Sequence, residues 1–398
     1  MFAATTRRRG RDTPRSGENR GMRVVIVTES YPPDVNGVAH SALQTARHLV
    51  RRGHEPLVVA PMPPPGARLP HDGPCPVVRV PSLPLPGYPQ VRVALPSRRL
   101  AAAIAGHHPD LVHLAAPFVL GARAVAVAGR MGLPTVAVYQ TDLAGYARTY
   151  LGAGESAAWR RIRAVHGAAD LTLAPSSAAA ALLTGHGVPR VALWPRGVDS
   201  ERFRPALRDE RLRRDLAGPG LGDGLLVGYV GRLAPEKRVD LLAATGALPG
   251  VRLVVVGDGP SEPALRAALP GARFTGQCTG DELARMYAAF DVFAHTGPFE
   301  TFCQAVQEAQ ASGVAAVAPG VGGPLDLIDH RRTGLLFPAN DPVALSRAVG
   351  ALRDDPGLRC RLAGAGRAAV RERTWEAVGD RLLDHFDRVL RSRAPALP

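Results

Sequence analysis

The feature that most constrains this chain is a twice-repeated alternation of short, continuously apolar runs with longer amphipathic stretches. Met22–Thr28 (MRVVIVT) lacks the polar alternation of a half-solvated strand, the pattern expected of a parallel strand buried on both faces. The loop ESYPPDVNG leads into Val38–Arg52, where Ala39, Leu43, Ala46, Leu49 and Val50 share one helical face. Gly53 closes that helix, and Leu57–Ala60 is the next strand. Leu111–Leu114, Thr135–Tyr139, Leu171–Ala174 and Val191–Trp194 continue this first series. Leu225–Val230, Arg252–Val256, Ala272–Thr275, Val292–His295, Val314–Ala318 and Gly334–Phe337 form a second, with closing helices predicted near 341–353, 357–371 and 375–393. Alternation of this kind requires parallel sheets covered on both faces. The predicted fold class is therefore α/β, with two doubly wound, Rossmann-like domains, and 398 residues is the right length for two. A cleft between such domains is the expected place for a ligand.

The expected organisation is a disordered basic leader over 1–21, a first domain over 22–198, a second over 199–374 and a terminal segment over 375–398. A polar, Gly- and Pro-containing link is placed around 199–222. Residues 61–89 hold 11 Pro, which excludes a long helix or central strand there, though Val77–Val80 fits a short strand. The stretch is read as a surface loop over the site.

Charge is unevenly spread. The net +14 divides into +4 for the leader, +9 for 22–198 and +1 for 199–398. Solvated arginines on helix faces account for this as well as attraction to an anionic membrane surface does. Nucleic acid is not expected, because aromatic residues are only 5% and do not interleave with the basic ones. No apolar run reaches the ~18 residues of a membrane span. The four Cys are scattered without a CxxC pair, which argues against a disulfide scaffold or zinc finger and fits a reducing, cytoplasmic setting.

Four segments carry candidate chemistry. Gly37 follows the first strand, where a glycine lets backbone approach a ligand and a helix N-terminus offers N–H donors; any tight turn also favours Gly. Gly231-Arg232-Leu233-Ala234-Pro235-Glu236-Lys237-Arg238 follows a strand, and Arg232 and Lys237 there could converge on one anion. Lys237 is the only Lys among 49 basic residues, so a free choice would have produced Arg. Glu300 and Glu308, eight apart across a helix start, are separated by ~12 Å of helical rise, too far for a paired acid and base. They suit two ends of one nucleotide sugar, with the Thr301 and Phe302 N–H groups facing a phosphate. Spacing alone equally allows two surface glutamates. Gly320-Val321-Gly322-Gly323-Pro324 is a glycine-rich turn of the kind that cradles phosphates. No Asp-x-Asp occurs, so a metal held by that motif is not supported, and neither a metal nor a resident cofactor is expected.

In order along the chain, Asn36-Gly37-Val38, Gly231-Arg232 with Glu236-Lys237, and the E-x7-E pair of Glu300 and Glu308 resemble the retaining GT-B glycosyltransferases of family four (glycosyl transferases group 1). The resemblance spans Met22 to about Arg391. It implies two domains facing across a cleft, with the terminal helix returning to the first. By position, Arg232 and Lys237 would hold a donor diphosphate, Glu300 the hexose hydroxyls and Glu308 the ribose. Gly37 would approach the phosphate and acceptor, and the base would lie near Thr275–Thr279, with Gln277 among the donor contacts. Tyr139-Gln140-Thr141-Asp142-Leu143-Ala144-Gly145-Tyr146-Ala147 and Gly297-Pro298-Phe299-Glu300-Thr301-Phe302 look most like actinobacterial GDP-mannose-dependent α-mannosyltransferases acting on glycolipid or phosphoinositide-type acceptors. Many relatives read Tyr-His-Thr-His where this chain reads Tyr-Gln-Thr-Asp, so Asp142 stands in for a histidine near the reacting sugar. The implied function is retaining transfer of mannose from GDP-mannose to a lipid-linked or glycolipid acceptor, by a cytoplasmic protein peripheral on the inner membrane face. The alternatives are a UDP-sugar donor with a soluble acceptor, or a non-catalytic GT-B or nucleic-acid-binding protein.

Overall fold

The computed structural model describes residues 21–393 apart from 70–71, 86–87, 143–144, 146–153 and 223. Residues 1–20 of the expected leader and 394–398 of the terminal segment therefore lie outside the described residues, as do Leu143, Ala144, Tyr146 and Ala147.

Runs of Val, Ile and Leu have no polar face to turn to water, and they occupy the sheet centres. The first half contains β1 (Arg23–Val27), β2 (Glu55–Pro61), β3 (Val77–Val80), β4 (Ser82–Leu85), β5 (Tyr88–Ala94), β6 (Leu111–Leu114), β7 (Thr135–Val138), β8 (Leu171–Ala174) and β9 (Val191–Leu193). Seven of these form a parallel sheet in the order β3-β2-β1-β6-β7-β8-β9. The second half contains β10 (Leu225–Val230), β11 (Val251–Val256), β12 (Arg273–Gly276), β13 (Val292–Ala294), β14 (Ala315–Pro319) and β15 (Leu335–Phe337). These form a second parallel sheet in the order β12-β11-β10-β13-β14-β15. Strand order reverses direction between β1 and β6 and between β10 and β13. Such switch points open a crevice at the carboxyl ends of the strands. Gly37, Arg232 and Glu300 all follow strands that flank a switch point.

Each sheet has an apolar core on both faces. The last helix, Trp375–Arg393, packs on the first sheet: Val378, Leu382, Phe386 and Val389 share a cluster with Ile26, Ala42 and Trp194. The Trp194 indole N–H donates to Val378 O at 2.9 Å. The chain passes between the halves twice, and the two passages pair, with Val198 N–H donating to Arg373 O at 2.8 Å.

Two expectations are corrected. Residues 61–89 are not one loop: β3 extends the sheet, and β4 and β5 pair antiparallel. Pro84 is tolerated because that hairpin has only two strands and its register shifts at Pro84/Leu85. The segment 199–222 is not merely a polar link, because Phe203, Leu216 and Ala217 are buried in the second core, the last two on the helix Glu210–Ala217. Among the described residues, no helix is long and apolar enough to cross a membrane.

Because Phe386 is fully buried against the first sheet, Phe386→Ala should cost about 3–5 kcal/mol of stability. Urea denaturation checks this, and a cost near zero would show that the terminal helix contributes nothing to that core.

Candidate active site

The second sheet supplies the charged half of the site. After β10 the chain turns at Gly231, where the Tyr229 hydroxyl donates to Arg232 O at 3.2 Å. The neighbouring loop crosses so close that a side chain on Gly257, at φ +132°, would collide with Gly231 O. A single 3-10 turn, Pro235–Lys237, then presents Lys237, and the Thr296 hydroxyl fixes its carbonyl at 2.7 Å. The Lys237 Nζ lies 2.5 Å from Glu300 Oε1, and His295 Nε2 lies 3.3 Å from the same oxygen. Arg232 pairs with Glu236. The two cations expected to converge on one anion therefore each hold a carboxylate, 300 in one case and 236 in the other.

Burial alone would raise the Glu300 carboxyl, but the Lys237 ammonium and, after it, His295 override burial and hold it far below the usual carboxylate range. His295, Glu300 and Cys303 offer ligand atoms within 4.8 Å of one another. Burial and the Glu300 charge keep the Cys303 thiol protonated, and Lys237 already supplies the positive charge there. Cys303 adopts φ +77° and starts the helix Gln304–Ala311, which carries Glu308 in its second turn. Burial pushes the Glu308 carboxyl up to about 7, while the nearby Tyr287 hydroxyl and Gln304 pull it part of the way back. The glycine-rich turn packs on this backbone: Gly323 N–H donates to Glu300 O at 2.8 Å, and a side chain on Gly323 would collide with Phe302.

The first sheet supplies the opposite wall. Gly37 begins the helix Gly37–Arg51, but the Asn36 side chain already accepts from the Val38 and Ala39 N–H groups. What Gly37 provides is room, since a Cβ there would press on the Arg196 guanidinium. Arg196 donates to Gly37 O at 3.3 Å and to Gln140 Oε1 at 2.6 Å. Burial draws its guanidinium down to about 10, opposed by the Glu300 charge, so it stays cationic at neutral pH. The Thr301 hydroxyl reaches across to Gln140 O at 3.1 Å, joining the two walls beside Glu300.

Asp142 faces its own turn, accepting from the Tyr139 hydroxyl at 3.2 Å and from Gly145 N–H at 2.9 Å. The group from this segment that meets the site's charges is Gln140. Gln277 is an exposed loop residue after β12, at the same carboxyl edge as Arg232 and Glu300. Sequence reasoning missed Arg196 and His295. His295 directly follows the buried strand Val292–Ala294, which is its one sequence signal, whereas Arg196 comes two residues after Trp194 and has none of that kind.

The chain matches the family model for Glycosyltransferase Family 4 over residues 35–202 and that for Glycosyl transferases group 1 over residues 224–355. It is 48% identical over 374 residues to a GDP-mannose-dependent alpha-mannosyltransferase of Mycobacterium tuberculosis, covering 93% of this chain and 97% of the relative. It is 41% identical over 377 residues to a protein of the same description from Corynebacterium glutamicum, covering 93% and 90%. Its fold is similar to sucrose-phosphate synthase from Thermosynechococcus elongatus, with TM-score 0.77, 20% identity and coverage of 93% and 100%. It is likewise similar to Anabaena HepE in complex with UDP, with TM-score 0.74, 19% identity and coverage of 92% and 100%.

The raised Glu308 carboxyl has a consequence for stability. Its native value is about 7 against an ordinary 4.5. Between those values the unfolded chain releases a proton that the native state keeps, so stability falls as pH rises through that window. Glu308→Gln should therefore gain on wild type between pH 5 and pH 8 by on the order of 1–3 kcal/mol. Urea denaturation at both values measures it, and an equal difference at both would contradict the assignment.

Proposed function

The chain belongs to the family-four glycosyltransferases, and on that premise we propose that it is a retaining α-mannosyltransferase moving mannose from GDP-mannose to a lipid-linked or glycolipid acceptor. The observation that carries this reading is the Lys237–Glu300 pair at the carboxyl edge of the second sheet. A sugar diphosphate satisfies both members at once: the phosphates accept from Lys237, and the hexose hydroxyls donate to Glu300. The pair is thus a preformed site whose internal contact is exchanged for contacts to the donor. Glu308, in the second turn of the helix Gln304–Ala311, accepts from the ribose hydroxyls, and Gln277 lies toward the base. Identity to GDP-mannose-dependent enzymes over most of the chain supports guanine and mannose as the donor's two ends.

The leaving group is GDP. Arg232 and Lys237 stabilise the charge that develops on its phosphate as the glycosidic bond breaks. Thr301 and Phe302 lie on the backbone that borders this phosphate. Glu300 and Glu308, eight residues apart, are too far separated to work as a nucleophile and its acid partner, and in this reading the acceptor hydroxyl attacks from the leaving-group side. Its proton passes to the departing phosphate, and configuration is retained. Gly37, Arg196 and Gln140 form the acceptor wall, with Asp142 in the turn behind them.

A peripheral position at an anionic membrane completes the proposal. Arg98, Arg123 and Arg130 line one groove of the first half together with Leu100 and Val127. The +9 charge of residues 22–198 has the sign that anionic headgroups attract. Flotation should show binding to vesicles containing anionic lipid and little to neutral ones; equal binding to both would overturn the electrostatic part.

Incubation with a panel of nucleotide sugars and a membrane lipid extract, read by mass spectrometry, should give a hexose-bearing lipid with GDP-mannose. Preference for a UDP-sugar would overturn the donor assignment. Glu300→Ala should lower turnover by roughly 100-fold; unchanged turnover would overturn the role given to Glu300, and no turnover in wild type would favour a non-catalytic protein.

A further inference from the structure

A further contact crosses between the halves, away from the charged pair. Asp326 lies on the short helix Pro324–Leu327 that follows the glycine-rich turn of the second sheet. Its carboxylate accepts from Ser177 N–H at 2.6 Å and also from the Ser177 hydroxyl. Ser177 is the first residue of the helix Ser177–Gly185 in the first half, 149 residues away. That helix is already capped by Ser176, whose hydroxyl accepts from Ala179 N–H at 3.1 Å. The first-turn N–H of Ser177 has no partner within its own helix, and Asp326 provides one from across the gap. A carboxylate is also the charge that a helix N-terminus favours. The Asp326 carbonyl, in turn, accepts from the Arg373 guanidinium at 3.3 Å, next to the paired passages of the chain.

We propose that the Asp326–Ser177 contact is a closure clasp that positions the acceptor wall over the donor sugar. The link to the chemistry is short. Gly322 and Gly323, directly before the Asp326 helix, pack on the Glu300–Phe302 backbone, and Thr301 of that backbone reaches Gln140. Seating Asp326 on Ser177 therefore seats Thr301 on Gln140 beside Glu300, while Gln307 and Gln304 hold the Arg196 and Gly197 carbonyls at 3.1 and 3.0 Å next to the chain passages. Ser177 is exposed and Asp326 half-buried, so the clasp sits at the rim of the cleft. A rim contact between a carboxylate and polar groups is weak enough to break at each product release. Closure also keeps water from the reacting carbon. Asp326 and Ser177 are positioning residues and touch neither substrate.

The proposal rests on the mannosyl-transfer reading, and its test separates the two. Ser177→Pro removes both donors, yet Pro suits the first position of a helix. The preceding Ser176, at φ −147° and ψ 162°, already has the extended backbone that a following Pro requires. Asp326→Ala removes the acceptor from the other side. In both variants transfer from GDP-mannose should slow by about tenfold. GDP affinity should stay at the wild-type value, and the share of donor hydrolysed to free mannose should rise. Asp326→Asn, which keeps an oxygen for the Ser177 N–H, should fall between Asp326→Ala and wild type. Slower transfer with an unchanged share is what a simple loss of stability gives, and that result would overturn the clasp. Both variants folded, with wild-type rate and wild-type share, would overturn the clasp. If wild type consumes no GDP-mannose, the functional reading fails and small-angle scattering decides the clasp. Ser177→Pro should then be more extended than wild type, and identical scattering would overturn it.

Discussion

The Lys237–Glu300 ion pair is the contact on which the rest of the site depends. A largely buried carboxylate is tolerated only with a partner at hand, and removing one member of such a pair leaves an uncompensated charge. Much of the surrounding structure serves to hold these two groups. The single 3-10 turn aims Lys237, and the Thr296 hydroxyl fixes its carbonyl. His295 stands against the same carboxylate oxygen, and the Gly322–Gly323 backbone supports Glu300 from behind. The use of Lys here is also a matter of geometry. An ammonium is a compact charge on a flexible stem, able to hold Glu300 in one arrangement and exchange it for a phosphate in another. A guanidinium fork would be committed to one planar partner. This accounts for one Lys in a chain that otherwise uses Arg.

The opposite wall is organised around a buried arginine. Arg196 is held by Gly37 and Gln140 and lies within the field of Glu300, so the first half adds a buried cation to the charged groups of the second. Thr301–Gln140 joins the walls inside the cleft and Asp326–Ser177 at its rim, and Gln307 and Gln304 donate to the Arg196 and Gly197 carbonyls beside the chain passages. The carboxylates on the donor side are tuned in opposite directions. Glu300 stays ionised beside a cation, while Glu308, buried with only neutral neighbours to offset it, holds its proton to about pH 7.

The strands were legible because short apolar runs alternating with longer amphipathic stretches fit a covered parallel sheet, and each run from Met22–Thr28 to Gly334–Phe337 became a strand. Glu300 and Lys237 were legible as separate motifs. That they meet was not, because nothing in spacing brings residues 63 apart into contact. The same limit hid Arg196, whose partners lie 56 and 159 positions away, and Ser177, whose partner lies in the other half of the chain. The β4–β5 hairpin was missed because its prolines read as loop punctuation, whereas a two-stranded ribbon has room for them. At Asp142, chemical type suggests a role in the site; what spacing did not show is that its carboxylate accepts from the Gly145 N–H and the Tyr139 hydroxyl of its own turn.

The most direct test of the central claim is calorimetric titration of GDP into wild type and Lys237→Ala at one pH and salt concentration. The account predicts at least about tenfold weaker binding in the variant, with the fold unchanged by circular dichroism, and no full rescue by Lys237→Arg. Wild-type affinity in a folded Lys237→Ala protein would contradict it.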